Sequence, residues 1–111
     1  MSKNVRTRAF RDLFDSLDPQ IQRAATKAFE LFKNSPRHVS LNFHYLVDVH
    51  LKPKHHPVNR YRLFGVKVTR SYRAVAVYDS VEDANIWFFI GNHDEYLARF
   101  GRGSTLTLPL S

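Results

Sequence analysis

His93 and Tyr96 stand three residues apart, close enough to project from one face if the segment is helical. Upstream, Tyr72-Arg73 opens a run of apolar residues, and Lys67 precedes it across the short segment Thr69-Arg70-Ser71. A histidine, a phenol and two cations suit the cleavage of RNA by side chains alone. The 2′-hydroxyl must lose a proton as it attacks phosphorus, and the leaving 5′-oxygen must gain one. Histidine can do either near neutral pH, and a phenol can donate or orient. Arg73 and Lys67 would offset the charge that builds on the phosphoryl oxygens, the arginine bidentately. Each residue also has a structural use. His93 can be a polar surface group, Tyr96 can pack its ring on a sheet, and Arg73 can pair with Asp79, Asp94 or Glu95. His55-His56 lacks metal-ligand spacing, and no acidic residue adjoins it, so no metal or other cofactor is expected.

The charge pattern supplies a surface for such a site. The chain has 111 residues with 17 Lys and Arg against 10 Asp and Glu, a formal charge of +7. From Val49 to Tyr78 the charged side chains are Lys52, Lys54, Arg60, Arg62, Lys67, Arg70 and Arg73, with no Asp or Glu among them. A one-sign block favours contact with polyanions, because each phosphate contact releases counterions. Lys67, Arg70, Arg60, Arg62, Lys52 and Lys54 are therefore the candidate phosphate-binding set.

The elements that must position these residues follow from periodicity. Phe10, Leu13, Phe14 and Leu17 have helical spacing over Arg6 to Leu17. Asp18-Pro19 reads as an N-cap and first helical position, and a second helix runs to about Lys33, with Ile21, Ala25, Ala28 and Phe32 as its stripe. The short link makes a helical hairpin. Beyond Pro36 the pattern becomes strand-like. Strands are expected over Ser40–Val47, Tyr61–Val68 and Tyr72–Tyr78, with a turn at Thr69-Arg70-Ser71 that sets Lys67 near Arg73. Asn85–Ile90 is apolar on both faces, as in a central strand, with Trp87, Phe88 and Phe89 in the core. His50–Asn59, with its two prolines, reads as a loop. Asn92 with Glu95 forms a capping-box start for a last helix that Gly101 can close, and the tail 102–111 is either loose or an edge strand.

The expected fold class is therefore α+β: an N-terminal helical hairpin on a small antiparallel sheet of three to four strands, with the helices on one face and a short C-terminal helix. One domain spans residues 1–111. No cysteine is present, no apolar run reaches membrane-spanning length, and the basic N-terminus is unlike a secretory signal, so a cytoplasmic protein is expected.

The runs FGVKVTRSYRAVAVYD (Phe64 to Asp79) and IWFFIGNHDEYLARF (Ile86 to Phe100) resemble the RelE/ParE superfamily of type II toxin–antitoxin toxins. The upstream DPQIQRAATKAFELFKNSPRHVSLNF resembles the helix hairpin and first loop of those toxins, so the likeness covers roughly Phe10 to Phe100. The resemblance implies a cognate antitoxin, with an acidic segment suited to the basic surface, and a toxin–antitoxin hetero-oligomer. RelE-like members cleave mRNA in the ribosomal A site and so inhibit translation. By that likeness Arg73 matches the arginine of the family's YR strand, Lys67 the basic position of the preceding strand, and His93 and Tyr96 the C-terminal acid–base positions. ParE-like members poison DNA gyrase and lack this set. Many ribosome-dependent members carry lysines or a glutamate on the early strands, where this chain has His44. The expected function is a ribosome-dependent mRNA endoribonuclease that needs no metal. The alternatives are a gyrase-poisoning toxin and a basic nucleic-acid-binding domain without catalysis.

Overall fold

A computed structural model describes residues 2–53 and 59–110. The expectations for Lys54 and for His55-His56 lie outside the described residues. Strand β1 (Lys3–Arg6) leads into helices α1 (Arg8–Asp15) and α2 (Pro19–Asn34). A 3₁₀ turn (Val39–Leu41) and strands β2 (His44–Tyr45), β3 (His50–Lys52), β4 (Tyr61–Lys67), β5 (Tyr72–Asp79) and β6 (Ala84–Asn92) follow. Helix α3 (His93–Phe100) and strand β7 (Thr105–Thr107) complete the order.

The main sheet has five strands in the order β1-β6-β5-β4-β2. β2, β4, β5 and β6 are antiparallel, whereas β1 runs parallel to β6 from Lys3 beside Ala84 to Arg6 beside Trp87. The sheet is thus mixed and one strand larger than expected. All four residues of β1 are exposed, so no apolar alternation announced it. Its tie to the sheet includes Asn4 Oδ1, which accepts from Asn85 Nδ2 at 3.2 Å and Trp87 Nε1 at 3.1 Å.

Two apolar layers sandwich the sheet. On one face the hairpin contributes Phe10, Ala25 and Phe32 against Phe64, Val66, Ala74, Ala76, Trp87 and Ile90. On the other, Phe100 of α3 packs with Val49, Leu108, Leu63, Val75, Val77, Phe88 and Phe89. The expectation of helices on one face is corrected here: the hairpin and α3 lie on opposite faces. A bulge explains how α3 finds an apolar bed. Val75 pairs with Phe89 and Ala76 with Trp87, which leaves Phe88 as the extra residue. Phe88 and Phe89 therefore both turn toward α3, while Trp87 and Ile90 face the hairpin.

Three further expectations change. The strand over Ser40–Val47 shrinks to His44–Tyr45, because the 3₁₀ turn ends at Asn42 in the left-handed region (φ 46°), which asparagine tolerates. The loop at His50–Asn59 begins with β3, which pairs in parallel with β7 as a separate two-stranded sheet, so the tail is ordered as a strand. Asp18 caps α2 through its carbonyl, which accepts from the N–H groups of Ile21 and Gln22, and its side chain makes no cap bond. The α1 and α2 hairpin, the β4–β5 hairpin and the α3 capping box stand as read from sequence.

Candidate functional site

Alternation along the strands fixes which side chains share the α3 face. Leu63, Val75, Val77 and Phe89 point there. By the two-residue period so do Gly65 and Lys67 of β4, Arg73 of β5 and Gly91 of β6. Lys67, Arg73 and Gly91 form one row across the sheet, and His44, Gly65, Val75 and Phe89 form the next. The expected proximity of Lys67 and Arg73 is realised as a direct Cα pairing.

Helix α3 lays its first turn beside these rows. The Asn92 side chain accepts from Glu95 N–H at 2.8 Å, and Glu95 Oε1 accepts from Asn92 N–H at 2.9 Å. The His93 N–H donates to the Ser71 carbonyl at 2.8 Å, which ties the helix start to the β4–β5 turn. Gly91 permits this approach: a Cβ there would lie 2.8 Å from Phe89 Cζ and 3.2 Å from Glu95 Oε1. The His93 and Tyr96 rings lie nearly parallel, 6.3 Å between centroids, with His93 exposed and Tyr96 half-buried.

Tyr96 combines a packed ring with a hydrogen-bonded hydroxyl. Its ring packs on Phe100 and the α3-side core. Its hydroxyl lies 3.0 Å from Nε2 of His44. The other ring nitrogen of His44, Nδ1, is 2.8 Å from the Asn42 carbonyl. Gly65 sits beneath the imidazole, with 3.4 Å from the site of a Cβ to Cε1 and Nε2. Burial pushes the Tyr96 phenol above its usual pKa, and the charge of Arg73 draws it back in part. His44 was visible in the sequence only as a histidine in an early strand; its contact joins residues 52 apart.

Arg73 makes no salt bridge among the described residues. Its Nη1 instead donates to the carbonyls of Thr69 (2.9 Å), Tyr72 (3.0 Å) and Arg70 (3.3 Å), which braces the turn and leaves Nε and Nη2 without a hydrogen bond among those residues. Of the acids that could have paired with it, Asp79 binds Arg60, Glu95 closes the capping box and Asp94 is exposed. Arg70 is exposed at the same turn.

The remaining basic residues do not gather here. Arg60 forks onto Asp79 through Nε and Nη2, both at 3.0 Å. Arg62 lies on the hairpin face by alternation with Leu63, with its guanidinium 3.7 Å from the Tyr45 ring centroid. Arg37 stacks 4.1 Å over Phe43 beside it. Lys52 is exposed on the small sheet. The acid-free stretch of sequence thus divides over both faces, and Lys67, Arg70 and Arg73 are its members beside α3. Among the described residues, no three His, Asp or Glu side chains cluster as metal ligands would, and no helix is long and apolar enough to cross a membrane.

The architecture is that of a RelE-like α+β fold. Among solved structures the chain is similar to the archaeal RelE–RelB complex from Pyrococcus horikoshii OT3, with a TM-score of 0.59 and 8% sequence identity over 82% of this chain and 93% of that one. No protein-family model and no curated protein matches the sequence.

Proposed function

We propose that this chain is the toxin of a toxin–antitoxin pair and acts as a ribosome-dependent endoribonuclease on mRNA. The observation that carries the reading is the meeting of Lys67, Arg73, Tyr96 and His93 at one end of the α3 face, from two strands and a helix. That grouping supplies cations for a phosphodiester and two groups able to handle protons. Arg73, with Nε and Nη2 directed to no other described residue, is the phosphoryl clamp, and Lys67 and Arg70 extend it along the backbone of the RNA. His93, exposed at the helix start, is suited to protonate the leaving 5′-oxygen. The likeness to RelE in a RelE–RelB complex supports the fold that such a toxin needs.

The partner in this reading is an antitoxin with an acidic segment, drawn to a chain whose formal charge is +7. Its acids would meet Lys67, Arg70 and Arg73 and so exclude mRNA. Controlled expression with mapping of RNA ends tests the function. Cleavage of translated messages supports it, whereas intact mRNA with DNA damage and lost supercoiling would place the chain with gyrase poisons instead.

A further inference from the structure

We propose that His44 is the terminal proton acceptor of the site, reached through Tyr96, so that the phenol and the imidazole act as one general base on the 2′-hydroxyl; this rests on the ribonuclease reading above. The contacts of His44 fix its tautomer. A carbonyl oxygen only accepts, so the 2.8 Å contact between His44 Nδ1 and the Asn42 carbonyl requires a proton on Nδ1. In the neutral ring Nε2 then carries the lone pair, and the Tyr96 O–H, 3.0 Å away, donates to it. The contact leaves the lone pairs of the phenol oxygen directed elsewhere, available to a donor such as a ribose hydroxyl.

The surroundings suit a relay rather than a free phenolate. Burial makes ionisation of Tyr96 harder. A phenol that passes its own proton to His44 as it receives another avoids that ionisation. Arg73 acts on Tyr96 from the sheet and the His93 ring lies beside it on α3, while Lys67 pairs with Arg73 in the adjoining row and Glu95 closes the capping box. Lys67 and Arg73 are cations, which offset the negative charge that builds on the attacking oxygen and the phosphoryl group. The backbone sets the ring's position: Asn42 is left-handed (φ 46°), and the imidazole lies over Gly65.

In the step itself, the 2′-O–H proton moves to Tyr96 Oη while the Tyr96 proton moves to His44 Nε2. The 2′-oxygen forms its bond to phosphorus, and the bond from phosphorus to the 5′-oxygen breaks. Protonated His93 supplies the proton that the 5′-oxygen takes. The products are a 2′,3′-cyclic phosphate and a 5′-hydroxyl, and His44 and His93 exchange their protons with water afterwards. Tyr96 touches the substrate and is catalytic in this scheme; His44 acts through it.

Two measurements on the full chain decide the matter. Nitrogen-15 NMR of the imidazoles, read at a pH where His44 is neutral, should show a protonated Nδ1 and a bare Nε2, and Tyr96→Phe should shift the Nε2 resonance. The opposite tautomer, or an Nε2 signal indifferent to Tyr96→Phe, overturns the pair whether or not the protein cleaves RNA. In a translating system, His44→Gln keeps an acceptor for the phenol but cannot take its proton. It should lower single-turnover cleavage by about 10²–10⁴-fold with little change in RNA affinity. Added imidazole should restore part of the rate to His44→Ala. Cleavage by His44→Gln at the wild-type rate would overturn the relay, and intact mRNA with wild-type protein would instead overturn the ribonuclease reading.

Discussion

Asp79 receives both ends of the Arg60 fork, Nε on Oδ1 and Nη2 on Oδ2, each at 3.0 Å. The carboxylate is nearly buried, at 5% side-chain exposure, and it also accepts the N–H groups of Val81 and Glu82. The pair therefore fastens the end of β5 to the chain entering β4, far from the row that holds Arg73. Arg60→Ala and Asp79→Asn should both lower Tm and leave the chemistry at α3 untouched in the surviving folded protein. Thermal melts and cleavage assays on the same preparations check this separation.

The same carboxylate predicts a pH dependence. The hydrogen bond from Arg60, helped by the two backbone N–H groups and opposed by burial, holds Asp79 below its ordinary pKa. Its contribution is complete above the unfolded value, about 3.9, and is lost as pH falls through the lower folded value. The Tm gap between wild type and Asp79→Asn should therefore be constant near neutrality and close below about pH 4. A gap that widens with acid would contradict the assignment.

Arg73 has a structural role and a proposed catalytic one that substitution can separate. Removing it frees the Thr69, Arg70 and Tyr72 carbonyls, at a cost of about 1–2 kcal/mol by denaturant unfolding. It also removes the proposed phosphoryl clamp, so Arg73→Ala should lose cleavage by about 10²-fold or more, well beyond what its stability loss explains. Arg73→Lys retains charge without the fork and should fall between the two.

Gly91 and Asn92 set the seat of α3. Gly91→Ala would push its Cβ to 2.8 Å from Phe89 and 3.2 Å from the Glu95 carboxylate that closes the capping box. Unfolding should show a loss of about 1–3 kcal/mol. Asn92→Ala removes the cap itself and should cost about 1 kcal/mol. Because His93 and Tyr96 occupy the first turn, both variants should also slow cleavage, and Asn92→Asp should recover most of the loss.

The parts legible in the sequence are those governed by neighbours along the chain. The helical stripes, the turn at Thr69-Arg70-Ser71 with Lys67 opposite Arg73, and the Asn92–Glu95 box all follow from local spacing. Long-range partners decide the rest. β1 exists because β6 offers it an edge, and its exposed residues carry no pattern of their own. The bulge at Phe88 turns Phe88 and Phe89 to the same face and so gives α3 an apolar bed opposite the hairpin; an unbroken apolar run conceals that break in alternation. β3 and β7 are short and meet only in three dimensions. His44 was present among the early-strand residues, but its link to Tyr96 depends on the left-handed Asn42 and the docking of α3 together.

The most direct test is to map mRNA 5′ ends in a reconstituted translation system given the purified wild-type chain, Arg73→Ala or Tyr96→Phe. New 5′-hydroxyl ends within translated codons are predicted with wild type, dependent on ribosomes and reduced at least 10²-fold by either substitution. Messages left intact by the wild-type chain, or cut equally by all three proteins, would contradict the central claim.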